Sequence, residues 1–86
     1  MPYNIEYHKD FIKFLKKHQD IQAKVFESFE TIAQNPYEAK LDIKKLQGKA
    51  NHYHLRISKY RFLYEVLESE ILIYAYKADS RGDIYK

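Results

Sequence analysis

Hydrophobic and polar residues alternate from Tyr3 to Tyr7, and this spacing predicts a short N-terminal strand whose odd-numbered residues face the core. From Asp10 the apolar positions recur in steps of three and four, which is typical of an amphipathic helix with Asp10 as its N-cap. A second helix follows with Asp20 as its cap, and Asn35-Pro36 stops it. The first third of the chain therefore predicts a strand and a helical hairpin.

Three further strands are predicted after a connection that runs from Tyr37 to Asn51. Their bounds are Tyr53 to Ile57, Tyr60 to Val66 and Glu70 to Tyr76. The short links Ser58-Lys59 and Glu68-Ser69 make neighbouring strands antiparallel. At 86 residues the chain predicts one domain, residues 1–86, of the α+β class, with the strand and helical hairpin packed on an antiparallel sheet.

The stretch "HYHLRISKYRFLYEV" from His52 to Val66 separates two faces of that sheet. If Ser58-Lys59 is a two-residue hairpin loop, Arg56 lies opposite Arg61, and directly paired residues share a face. The apolar face is expected to pack on the helices and carries Tyr53, Leu55, Ile57, Tyr60, Phe62, Tyr64 and Val66. The opposite face is called the polar face below, and from this hairpin it carries His52, His54, Arg56, Arg61, Leu63 and Glu65. With Glu68-Ser69 as the next loop, the polar face also places Leu72, Tyr74 and Tyr76 beside Glu65, Leu63 and Arg61.

The polar face carries the chemistry that an anion site needs. Two arginines directly opposite each other destabilise a sheet by roughly 0.2–1 kcal/mol, and an anion relieves that repulsion. Cleavage of RNA by a neighbouring 2′-hydroxyl requires cations for the phosphorane, a base and an acid. Arg61 is the candidate clamp, His54 or Glu65 the candidate base, and His54 or Tyr85 the candidate acid. The alternative is that Glu65 and the arginines only pair with each other.

The distribution of charge favours a polyanionic partner more than the net charge of +3 does. Between Asp42 and Arg61 the basic residues Lys44, Lys45, Lys49, Arg56, Lys59 and Arg61 face a single acid, Asp42. Basic residues among nine Tyr and five Phe suit single-stranded RNA, because phosphates bind cations and bases stack on rings. The candidate RNA-binding residues are Lys44, Lys45, Lys49, His52, Arg56, Lys59, Tyr74 and Tyr76. A lysine-rich solvated surface is the alternative.

Several classes of protein are disfavoured. The chain contains no cysteine, which excludes disulfides and thiolate chemistry. No apolar run predicts a signal peptide or a membrane span, so a cytoplasmic protein without a membrane partner is expected. His52-x-His54 lacks further ligands at suitable spacing, so we expect neither a metal nor a cofactor.

Four motifs resemble the RelE/ParE superfamily of toxins from bacterial and archaeal toxin-antitoxin modules, and the resemblance covers nearly the whole chain. They are "NP" at Asn35-Pro36, "KKLQG" at Lys44 to Gly48, "YHLRISKYRFLYEV" at Tyr53 to Val66 and "SRGDIYK" at Ser80 to Lys86. The resemblance implies a small α+β domain with a helical hairpin packed on a curved antiparallel sheet.

The resemblance also implies one of two activities. RelE-type members are ribosome-dependent endoribonucleases (mRNA interferases) that enter the A site and cut mRNA, whereas ParE-type members poison DNA gyrase. In RelE-type enzymes the arginine that matches Arg61 contacts the scissile phosphate, and strand residues matched by His54 and Arg56 contact RNA or transfer protons. A C-terminal arginine and tyrosine, matched by Arg81 and Tyr85, complete the site.

Two departures from the family pattern concern the acid. Many members have His-Arg where this chain has Ser80-Arg81, and some have a basic residue in place of Asp79. His54 is the compensating candidate. The basic, imidazole-bearing strand and the terminal Arg and Tyr favour the RNase over the gyrase inhibitor, and an inactive, complex-forming member is a third alternative. The resemblance implies a cognate antitoxin, the ribosomal A site and mRNA as partners.

Overall fold

The computed structural model describes residues 2–80 as two helices packed on one face of a five-stranded sheet. The elements are β1 (Asn4–Tyr7), α1 (Lys9–Lys17), α2 (Gln19–Gln34), β2 (Ile43–Lys45), β3 (His52–Ile57), β4 (Tyr60–Leu67) and β5 (Leu72–Asp79). The strand order is β1-β5-β4-β3-β2. This architecture confirms the α+β class and the helical hairpin.

The sheet differs from the expected one in two respects. β1 runs parallel to β5, so the sheet is mixed and not purely antiparallel. A helical hairpin separates β1 from the rest of the sheet, so no tight turn imposes an antiparallel pairing on it. β2 falls inside the stretch that was predicted to be a connection, and its three residues are too few for a period to be recognised.

The core lies between the helices and the apolar face of the sheet. Phe11 and Leu15 from α1 and Phe29 from α2 are at most 1% exposed. The sheet contributes the residues predicted for this face, namely Leu55, Ile57, Tyr60, Phe62, Tyr64 and Val66, and Tyr53 packs against them half-buried. Phe29 makes edge-to-face contacts with Phe11 and Tyr64 at centroid distances of 5.6 and 5.5 Å. This packing fixes which face of β3 and β4 meets solvent.

Both predicted helix N-caps are wrong by two residues. α1 begins at Lys9, and the Nδ1 atom of His8 accepts a hydrogen bond from the backbone N–H of Asp10 at 3.1 Å. The His8 imidazole, and not the Asp10 carboxylate, therefore caps the N-terminus of α1. α2 begins at Gln19 after His18, which makes no side-chain cap, and Asp20 lies inside the first turn. The predicted stop is confirmed, since Asn35 is the C-cap of α2.

The β4–β5 connection is longer than the predicted Glu68-Ser69 loop. It contains a 3₁₀ turn, Glu68–Glu70, followed by Ile71, and Leu67 pairs with Leu72. The predicted register of β5 is therefore wrong: Tyr74 and not Leu72 lies beside Glu65. A bulge follows, because Tyr64 pairs with Ala75 and Leu63 with Lys77, which leaves Tyr76 as the extra residue.

Ile71 offers a direct test of this connection. Its backbone is left-handed, with φ 50° and ψ 52°, although a β-branched residue is among the least suited to that region. Its side chain is 44% exposed, so a substitution there loses little burial. We expect Ile71→Asn and Ile71→Gly to raise the free energy of unfolding by about 1 kcal/mol in urea titrations.

The control for Ile71 is Glu70→Gly in the same turn. Glu70 is exposed and does not have a positive φ, so glycine relieves no strain there and adds freedom to the unfolded chain. Equal effects of Ile71→Gly and Glu70→Gly on the free energy of unfolding would contradict the assignment of strain to Ile71.

Candidate active site on the polar face of the sheet

The β3–β4 hairpin places Arg56 directly opposite Arg61, as predicted. Its loop is the two-residue link Ser58-Lys59, and Ser58 takes a left-handed conformation with φ 56°. A positive φ at the first loop position matches the twist of the flanking strands. The polar face therefore carries the hairpin residues expected from the sequence, with His54 opposite Leu63 in the next row.

Each arginine has an acidic neighbour. The Nε atom of Arg56 lies 3.5 Å from Oδ2 of Asp42, and both side chains are more than half exposed, so the pair stabilises the fold by only about 0–1 kcal/mol. Asp79 pairs with Arg61 in the β4–β5 ladder. The guanidinium repulsion is thus eased by the protein itself. The next row across the sheet pairs Lys44 with His54, His54 with Leu63 and Leu63 with Lys77. Its two terminal lysines keep the polar face basic here.

His54 occupies the centre of this basic region, half-buried between β2 and β4. Burial lowers the pKa of its imidazole, and the positive charges of Lys44 and Arg61 lower it further, with Asp42 opposing them. A lowered pKa keeps His54 neutral at neutral pH. A neutral imidazole can accept a proton, so the structure favours the base over the acid among the roles predicted for His54.

Glu65 lies beside His52 and not beside Arg61. Oε2 of Glu65 is 3.6 Å from Nε2 of His52, and the Tyr76 hydroxyl is hydrogen-bonded to Nδ1 of His52 at 2.9 Å. Four residues of strand separate Glu65 from Arg61, or about 13 Å at ~3.3 Å per residue. The predicted role of Glu65 was that of a base beside Arg61. The structure places the two residues apart, so it does not support that role.

β5 brings a further cation and a carboxylate to the polar face that the sequence reasoning missed. Lys77 pairs with Leu63 and Asp79 with Arg61, because β5 continues three residues beyond the predicted end at Tyr76. The run Lys77-Ala78-Asp79 keeps the alternation of polar and apolar residues, and Ala78 packs against the core. That alternation was the signal that the strand continues.

The four predicted lysines do not converge. Lys44 pairs with His54 on the polar face, whereas Lys45 pairs with Tyr53 on the opposite face. There Lys45 lines a groove of about 280 Å³ with Pro36, Tyr37, Ala39, Leu41, Ile43 and Tyr53. Lys49 lies exposed in the β2–β3 connection, and the Nζ atom of Lys59 lies 5.6 Å from the ring centroid of Tyr60, a core residue.

Arg81 and Tyr85, predicted from the family resemblance, lie outside the described residues. Within residues 2–80 no group of three or more His, Asp or Glu side chains is arranged to hold a metal ion. In the same part of the chain, no helix has both the length and the apolar composition to span a membrane.

Comparisons with known proteins agree with this fold. Residues 5–81 match the family described as "ParE toxin of type II toxin-antitoxin system, parDE". The chain is 39% identical to RelE1 of Methanocaldococcus jannaschii over 88 residues, covering 100% of this chain and 98% of that protein.

Two solved complexes share the fold. The archaeal RelE–RelB complex from Pyrococcus horikoshii OT3 superposes with a TM-score of 0.82 at 25% identity, covering 96% of this chain and 99% of that one. The RelB–RelE antitoxin–toxin complex from Methanococcus jannaschii superposes with a TM-score of 0.71 at 32% identity, covering 92% of this chain and 93% of that one.

The fold, the basic polar face and these matches define the class: the chain is a toxin of a type II toxin-antitoxin system. It belongs to the RelE/ParE superfamily and is of RelE type.

Proposed function

We propose that the protein is a ribosome-dependent endoribonuclease that cuts mRNA by attack of a 2′-hydroxyl on the adjacent phosphodiester. The observation that carries the proposal is a half-buried His54, its pKa lowered, between Lys44 and the Arg56–Arg61 pair. A neutral imidazole beside guanidinium groups is what this transesterification needs, because a base and a phosphate clamp must act together.

His54 acts as the base in the first step. Its imidazole removes the proton of the 2′-hydroxyl, and the 2′-oxygen then forms a bond to phosphorus. Arg61 and Arg56 stabilise the negative charge that develops on the phosphorane oxygens, because guanidinium groups donate paired hydrogen bonds to phosphate.

In the second step the bond from phosphorus to the 5′-oxygen breaks, which leaves a 2′,3′-cyclic phosphate and a 5′-hydroxyl. The leaving oxygen needs a proton. Tyr85 is the candidate acid, and Arg81 is the further residue that the family resemblance supplies for completing the site. We assign Glu65 to holding His52 in place, because its carboxylate lies beside that imidazole.

The proposed partners are the ribosomal A site, mRNA and a cognate antitoxin. A site with dispersed cations positions free RNA weakly, so we infer that the ribosome aligns the scissile phosphate with Arg61. The two solved relatives above are complexes with RelB, which supports an antitoxin for this chain. We expect that antitoxin to cover the basic polar face.

Inhibition of DNA gyrase without RNase activity is the second candidate function. The observation that favours it is the match of residues 5–81 to a family described as ParE toxin. Gyrase inhibition does not require a base held neutral beside paired arginines, so the polar face argues for the RNase.

One experiment separates the two functions. The protein is induced in cells, mRNA 5′ ends are mapped, and supercoiling by purified gyrase is measured with the purified protein present. The RNase predicts new 5′-hydroxyl ends inside translated codons and unchanged supercoiling. Intact messages together with inhibited supercoiling would overturn the RNase and support the gyrase inhibitor.

A further inference from the structure

Four aromatic and imidazole rings form a row at the end of the polar face that is remote from Arg61. His8 and Tyr74 have ring centroids 6.4 Å apart, Tyr74 and Tyr76 6.1 Å, and Tyr76 and His52 5.6 Å. All four residues are half-buried. The row, called the aromatic row below, crosses the sheet from the end of β1 through β5 to β3.

Hydrogen bonds hold both ends of the aromatic row. The Tyr76 hydroxyl and Nδ1 of His52 share a hydrogen bond of 2.9 Å, and Glu65 lies 3.6 Å from the other ring nitrogen of His52. Burial and the nearby Glu65 raise the pKa of Tyr76, so its phenol stays protonated and available for this hydrogen bond. At the other end, Nδ1 of His8 accepts from the backbone N–H of Asp10 at 3.1 Å. A surface ordered before its ligand arrives loses little entropy on binding.

The charges around the aromatic row suit bases better than phosphates. Glu65 and Glu6 both pair with Tyr74 in the sheet, from opposite sides. Their carboxylates repel phosphate but can accept hydrogen bonds from the exocyclic amino groups of bases. The cations Lys44, Arg61 and Lys77 lie in the neighbouring rows, toward the β3–β4 turn. The polar face therefore divides into a phosphate end and a base end.

We propose that the aromatic row is a stacking subsite for an unpaired RNA base that lies at a distance from the scissile phosphate. Tyr74, in the middle of the row, is the platform, and Glu65 and His52 are positioning residues that fix Tyr76 beside it. This inference rests on the proposed function for its choice of RNA as the ligand. It adds a way to select nucleotides at a distance from the scissile phosphate.

The test uses 2′-O-methyl octanucleotides, in which the blocked 2′-oxygen cannot attack and binding is measured without cleavage. Fluorescence anisotropy gives the Kd of the wild-type protein and of Tyr74→Leu and Tyr74→Phe at several salt concentrations. Stacking on an aromatic ring predicts about a tenfold weaker Kd for Tyr74→Leu, and retained binding for Tyr74→Phe. The slope of log Kd against log salt should stay unchanged in both, because no phosphate contact is lost.

A second measurement pairs the variants with oligonucleotides that carry one abasic position each. At one position the abasic site should weaken wild-type binding about as much as Tyr74→Leu does, and the two changes together should add little more. Tyr76→Phe, which keeps the ring and removes the hydroxyl that is bonded to His52, should weaken binding by a smaller factor than Tyr76→Leu.

Two results would overturn the subsite. One is a Tyr74→Leu protein that binds as tightly as wild type. The other is full additivity of Tyr74→Leu with every abasic position. Failure of the proposed nuclease is distinguishable, since a protein that stacks RNA bases but cuts no mRNA in cells passes this test and fails the earlier one.

Discussion

We expect Arg61→Ala to lower the rate of mRNA cleavage by about 10²- to 10³-fold and to leave the protein folded. Removal of one preorganised donor to a charge that develops in the transition state has effects of this size. Arg61 is only half-buried on the polar face, outside the core, so the substitution creates no cavity. Single-turnover cleavage on programmed ribosomes measures the rate, and far-UV circular dichroism checks the fold.

Two matched variants sharpen this prediction. Arg61→Lys keeps the charge but not the planar pair of donors, so we expect an activity between those of wild type and Arg61→Ala. Lys13→Ala removes an exposed cation from α1, which packs on the other face of the sheet, and should cleave at the wild-type rate. Equal losses for Arg61→Ala and Lys13→Ala would mean that only overall charge matters, and would contradict the clamp.

The β3–β4 hairpin shows how much of the site can be predicted from the sequence. Strict alternation fixes which residues of a strand share a face, and a two-residue loop fixes the register. Arg56 and Arg61 were therefore placed opposite each other correctly, with His54 in the next row. The family resemblance independently singled out Arg61.

The β4–β5 register could not be predicted in the same way. It depends on Ile71 in a left-handed conformation, which turn rules assign to Gly or Asn, and on the bulge at Tyr76. The aromatic row and the Asp79–Arg61 pairing both follow from that register. Glu65 was accordingly expected to act near Arg61, whereas its neighbour is His52.

The low pKa of His54 could not be predicted from the sequence either. Its lowered pKa depends on burial and on Lys44, which β2 brings alongside. β2 has only three residues and shows no recognisable period, so the position of Lys44 beside His54 could not be predicted. A pKa set by neighbours on other strands is a property of the fold and not of the local motif.

His54→Gln is expected to slow cleavage by about 10²- to 10⁴-fold, as loss of a general base does. The pH dependence gives the sharper test. A base acts when it is deprotonated, so cleavage by the wild type should fall as pH falls through the pKa of His54. That pKa lies below the ordinary value of 6.5, and cleavage should be constant above it. This fall in rate at low pH is the acid limb of the profile. In His54→Gln the acid limb should disappear from single-turnover pH profiles.

The pH profile of Lys44→Gln tests why the pKa of His54 is lowered. The charged groups that act on the imidazole of His54 are Lys44, Arg61 and Arg56, which lower its pKa, and Asp42, which raises it. Removal of the Lys44 charge stabilises the imidazolium, so the acid limb should move to higher pH. A limb that stays in place in Lys44→Gln, or that persists in His54→Gln, would assign the titration to another group, because only a base beside Lys44 responds to both changes.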